Sequence, residues 1–85
     1  MTSYRKQIDA IDRKMLSLLS QRFAAAKKIG AYKKKRGIAI HDGIREQEIK
    51  QLLSARVRAH GLDPSFISSL WKRILRESRR IQNLN

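Results

Sequence analysis

Arg22 and Lys33 stand where a long helix would ordinarily carry apolar residues. Ile8, Ile11, Met15, Leu18, Leu19, Ala26 and Ile29 recur at helical spacing and make one apolar stripe. Arg22 follows Met15 by seven residues and precedes Ala26 by four, and Lys33 follows Ile29 by four. Both therefore point along the inward face of the helix. A cation withdrawn from water without a partner is costly. The chain offers only 7 Asp+Glu against 20 Lys+Arg to supply partners. A bound anion is the sharper explanation of the pair.

The C-terminal third repeats the anomaly. Ser78 follows Ile74 by four and Gln82 follows Ser78 by four, both on an apolar stripe. Taken singly, Ser78 could bond back to the Ile74 carbonyl and Gln82 could be a frayed helix end. Arg45 falls on the inner edge of a middle helix just after Asp42, with Glu46 beside it; a first-turn surface ion pair is the plainer reading of those two. Arg5 flanks the first stripe one turn before Ile8, where a solvated terminal arginine is equally natural. Together these residues are cations and neutral donors, with no Cys and no inward His. Arginine forks grip carboxylates in bidentate fashion. A hydrolase would want a nucleophile with its base, or a metal. The set suits holding a small dianion and stabilising charge that separates without proton transfer. His41 and His60, at a loop and a helix end, read as surface residues.

Three helices must position these groups. The first runs from about Tyr4 to about Lys35, with Thr2 or Ser3 as a cap and Gly37 as a left-handed stop after the basic turn Lys34-Lys35-Arg36. Asp42 caps a second helix, about Gly43 to Ala59, on the stripe Arg45, Ile49, Leu52 and Arg56 with Leu53 and Val57 beside it; Gly61 ends it. Asp63-Pro64 opens a third, to about Gln82, on Ile67, Leu70, Trp71, Ile74 and Ile81. Leu62 and Ile67 are spaced for a hydrophobic staple across that start. Trp71 and Phe66 read as packing residues. The fold class is all-α. A first helix of about 30 residues is about 45 Å long, more than a compact domain of this size spans. Its apolar length calls for cover by a second chain.

Residues 1–85 read as a single domain, too small to bury a large core. Without Cys there is no disulfide framework. The first residues lack a signal-peptide core and no run is long enough for a membrane span, so a cytoplasmic protein is expected. The formal charge of +13 attracts anions of any size. It fits a small dianion, an acidic protein partner or nucleic acid, and most of its clusters read as solvated helix faces.

The residues also match a family. The chain resembles the all-helical (type II) chorismate mutases in Arg5-Lys6-Gln7-Ile8-Asp9-Ala10-Ile11-Asp12 with Leu16 to Arg22; in Ile29-Gly30-Ala31-Tyr32-Lys33; in Asp42-Gly43-Ile44-Arg45-Glu46; and in Gly61-Leu62-Asp63-Pro64 through Ser78 and Gln82. No single motif is specific; their order and spacing over nearly the whole chain are. The resemblance implies three helices per chain in an intertwined homodimer. It implies rearrangement of chorismate to prephenate, the branch step toward phenylalanine and tyrosine, with no cofactor or metal. By position, Arg22 would grip one substrate carboxylate and Arg5, from the partner chain, the other. Lys33 and Gln82 would donate to the ether oxygen, and Glu46 would accept from the ring hydroxyl with Asp42 near it. Arg45 and Ser78 would complete the polar surround.

Two enzyme readings and two others compete. An isochorismate-pyruvate lyase of the same fold would share the cations; the Arg45-Glu46 and Lys33/Gln82 set favours the mutase. A small basic nucleic-acid-binding protein agrees with the charge, but there is no short helix-turn-helix unit, zinc pattern or aromatic platform. A bare helical dimerisation module leaves Arg22 and Lys33 unexplained.

Overall fold

Gly37 and Gly61 turn the chain, both with φ of 66°. Each lies just past a helix end, where a left-handed residue redirects the backbone. At the first, Ile38 N–H donates to the Lys33 carbonyl (2.8 Å) and Gly37 N–H to Lys34 (3.3 Å). At the second, Leu62 donates to Val57 and Gly61 to Arg58, both at 3.1 Å. This paired closure satisfies carbonyls that the helix end leaves open. A Cβ at either glycine would meet nothing within 4 Å, so the backbone angle rather than space favours glycine there.

The computed structural model describes residues 1–84 and holds three helices, α1 (Thr2–Lys35), α2 (Gly43–Val57) and α3 (Pro64–Gln82), with no strand among the described residues. Asp42 and Asp63 cap α2 and α3 as expected, accepting from Arg45 N–H at 2.9 Å and Phe66 N–H at 2.8 Å. The start of α1 differs from expectation: Met1 occupies the cap position without a side-chain bond, and Thr2 and Ser3 are already helical. The second helix ends at Val57, two residues short of Ala59.

Both α1 and α2 pack against α3. The core is Ala26 of α1, Val57 of α2, and Ile67, Ile74 and Leu75 of α3. Buried Gly30 and Ala26 keep the C-terminal half of α1 slim where it meets α3. The inner line of α2 is Glu46, Ile49, Leu53 and Val57, not the expected Arg45–Ile49–Leu52–Arg56; Arg45, Leu52 and Arg56 are exposed. The two lines are neighbours on the helix, and rotation toward the second spares two arginines desolvation. Phe66, read as packing, is exposed, as is Leu62 of the expected staple, while Ile67 is buried.

The molecule extends 53 × 24 × 15 Å with a radius of gyration of 15.6 Å; a compact chain of this length would have about 12 Å. The protruding part is the N-terminal half of α1. There Ile8, Ile11, Met15 and Leu18, expected on a buried face, are 57, 54, 53 and 63% exposed within the single chain. No described helix is long and apolar enough to cross a membrane.

Candidate active site

The C-terminal half of α1, the loop after it, the first turns of α2 and the last turns of α3 enclose a cleft of about 210 Å³. Seven of the eight residues singled out in the sequence line it: Arg22, Lys33, Asp42, Arg45, Glu46, Ser78 and Gln82. Ala26, Ile29, Ile49 and Leu75 supply apolar wall. A second cleft of similar volume between α2 and α3, bordered by Val57, Ile67, Trp71 and Leu75, has Lys50 and Lys72 as its charged residues and neither an arginine nor a carboxylate.

Arg22 and Lys33 are half-buried on α1, three turns apart. Arg22 Nη1 donates to Ser78 Oγ at 2.7 Å, so the buried serine is bonded across the helix pair and not back to its own helix. That bond orients the guanidinium and leaves its other N–H groups available. Burial first, and the like charge of Arg45 second, hold the Arg22 pKa below its ordinary value. An anion seated between the two arginines would relieve both effects. Lys33 Nζ donates to the Ile40 carbonyl at 3.0 Å. This ties the end of α1 to the connecting loop and leaves two ammonium protons for a ligand. Gln82, the last residue of α3, is half-buried in the cleft rather than frayed.

Glu46 is not paired as its neighbour in sequence suggested. Arg45 Nη1 meets Glu48 at 3.2 Å, an exposed pair one turn on. Arg79 Nη1 instead donates to both Glu46 carboxylate oxygens at 2.6 Å. His41 Nε2, on a largely exposed side chain, lies 3.4 Å from Glu46 Oε2. Arg79, one of two adjacent arginines with Arg80, lines the cleft. A signal for it existed. Leu75, Ser78, Arg79 and Gln82 have the i, i+3, i+4, i+7 spacing of one helix face, and Leu75 was left out of the expected stripe.

Arg5 is apart from the other seven. It lies exposed on the first turns of α1, 17 residues before Arg22, about 25 Å away by helical rise. The straight helix carries it out of reach of its own chain's cleft.

The sequence matches the family described as chorismate mutase type II over residues 4–83. It is 33% identical to the T-protein of Enterobacter agglomerans over 98% of this chain, but spans only 22% of that relative. A chorismate mutase of Methanocaldococcus jannaschii is 28% identical over 96% of this chain and 83% of its own length. A 4-amino-4-deoxychorismate mutase of Streptomyces venezuelae is 29% identical over 94% and 78% respectively. The three-helix fold and the near-complete family match agree, and the chain belongs to the chorismate mutase type II family.

Proposed function

We propose that the chain, a single domain, is an isomerase that rearranges chorismate to prephenate in this cleft. The observation that carries the reading is the convergence of Arg22, Lys33, Asp42, Arg45, Glu46, Ser78 and Gln82, drawn from three helices, on one small cavity. Four cations, Arg22, Lys33, Arg45 and Arg79, face two carboxylates, Asp42 and Glu46, leaving two positive charges for a dianion.

In the reaction the ether C–O bond breaks while a C–C bond forms within one molecule. No proton need move, and no residue need bond to the substrate. The protein's task is to hold a compact conformer that is rare in solution and to meet charge as it develops. Arg22, steadied by Ser78, grips one carboxylate. Lys33 and Gln82 donate to the ether oxygen as negative charge grows there. Glu46 accepts from the ring hydroxyl, and Asp42 and Arg45 complete the rim.

The working unit is a homodimer in which Arg5 of the partner subunit grips the second carboxylate. Two observations support this. Arg5 is too far along α1 to reach its own cleft. The chain exposes 7184 Å², where a folded monomer of 9.9 kDa would expose about 5,200 Å². The excess of about 2,000 Å² per chain is of the size that permanent dimers bury. A cytoplasmic location follows from the metabolic role. Charge beyond the cleft suits an acidic protein partner.

Adding chorismate and following its ultraviolet absorbance tests the reading, with Arg22→Ala as control. Steady loss of absorbance, abolished in the control, is expected. Turnover of isochorismate but not chorismate would make the protein a lyase, and turnover of neither would end the assignment.

A further inference from the structure

Arg79 is unexplained by the reaction itself, yet it makes the shortest contact in the cleft. Its guanidinium spans from α3 to α2 and spreads one N–H group across both Glu46 oxygens at 2.6 Å. The two side chains are 33 and 22% exposed, sheltered enough for the pair to be screened less than a surface bridge. Without it, Glu46 would keep only the 3.4 Å contact to the largely exposed His41, and a carboxylate so lightly matched attracts a cation as readily as a hydroxyl proton.

We propose that Arg79 is a specificity-determining residue: by neutralising Glu46 it admits a substrate bearing a neutral hydroxyl opposite that carboxylate and rejects one bearing a protonated amino group there. The proposal rests on the reading of Glu46 as acceptor of the ring hydroxyl. A carboxylate has about four lone-pair sites, so Glu46 can hold Arg79 and still accept from a hydroxyl. An ammonium in the same place gains little from a carboxylate already matched, and lies beside the guanidinium that matches it. It also lowers the ligand's net charge from −2 to −1 in a cleft whose lining carries two positive charges in excess. Both effects disfavour the amine, and a like charge held close is the more selective of the two devices. Arg79 touches neither reacting atom; it acts through Glu46.

The test compares kcat/KM for chorismate and for 4-amino-4-deoxychorismate in the wild-type protein and in Arg79→Met, Arg79→Gln and Arg79→Lys. Wild type is expected to prefer chorismate strongly. In Arg79→Met the ratio of amine to hydroxyl should rise by about tenfold or more. Arg79→Gln, which keeps a hydrogen bond without the charge, should show the same rise and stands in if the methionine variant does not fold. Arg79→Lys should keep the wild-type ratio. Wild type inactive on chorismate would defeat the parent reading. Wild type active, with both neutral variants folded and the ratio unmoved, would overturn the role of Arg79 alone, even if both activities fell together.

Discussion

The two halves of α1 carry the same apolar code and meet different fates. The C-terminal half lies on α3, buries Ala26 and Gly30, and turns Arg22 and Lys33 into the cleft. The N-terminal half carries Ile8, Ile11, Met15 and Leu18 at the same spacing, each more than half exposed within the chain. One periodic pattern thus serves two surfaces, one satisfied within the chain and one that is not. The difference teaches that a helical stripe specifies a face and its direction, but not which molecule covers it. It also explains why Arg5, on the uncovered half, is the one expected site residue remote from the rest.

The largest expected effect comes from the uncovered half. Ile11→Glu combined with Leu18→Glu would place two carboxylates on the apolar face proposed to pair with a second chain. Size-exclusion chromatography with light scattering should show monomers, and activity should fall by more than about 1000-fold, because the cleft loses a carboxylate grip along with its neighbour. A monomeric variant with full turnover would erase the distinction between the halves.

On the covered half, Lys33→Ala removes the donor proposed to meet the breaking bond. Such donors are worth about 2.7–4 kcal/mol, a factor of about 100–1000 in rate. Circular dichroism should be unchanged, since the bond to the Ile40 carbonyl is one loop tether among several contacts. A folded, fully active Lys33→Ala protein would remove this half of α1 from the chemistry.

How much of this was legible depends on what each residue's environment requires. Helix starts at Asp42 and Asp63 and stops at Gly37 and Gly61 were readable because caps and left-handed turns act locally. Arg22, Lys33, Ser78 and Gln82 were readable because polar residues interrupt an apolar period. The inner face of α2 was not, since two adjacent lines of that helix fit the period and only packing against α3 chooses between them. Arg79 was missed for a related reason: in a chain of 20 Lys+Arg an arginine beside another is marked only by the face it shares, and without Leu75 on the expected stripe the face of Ser78, Arg79 and Gln82 lay to one side of it. The pairing of Glu46 spans 33 residues, a separation no local pattern records.

A smaller effect concerns pH. Gln82 donates without titrating, and the lowered pKa of Arg22 leaves an arginine protonated throughout the neutral range. The sign is favourable at both ends. Falling pH cannot remove the Arg22 charge, and rising pH to 8 does not titrate either group. kcat/KM for chorismate should vary by no more than about threefold from about pH 5 to 8. In Gln82→Glu the residue must be protonated to donate, so activity should climb toward acid. A steep acid optimum in the wild type would take Gln82 out of its role.

The smallest effect is expected where the covered half of α1 meets solvent rather than the cleft. There Leu19 and Phe23 border a groove with Ile74, Glu77 and Arg80. Arg80 Nε and Nη2 donate to Glu77 at 2.6 and 2.9 Å, the same chemistry as Arg79 with Glu46 but on side chains 61 and 40% exposed. The hydrogen bond to Arg80, foremost, holds the Glu77 pKa below its ordinary value. A carboxylate whose folded pKa is depressed stabilises the fold above its unfolded pKa and loses that contribution as pH falls through the folded value. Glu77→Gln should therefore lower the thermal midpoint slightly at neutral pH, with the difference closing in acid below the carboxylate range and shrinking in high salt. Activity on chorismate should not change, because neither residue reaches the cleft. A large loss of activity in Glu77→Gln would mean that the outer face of α3 supports the site as strongly as the inner one, and that the covered half of α1 has two working sides.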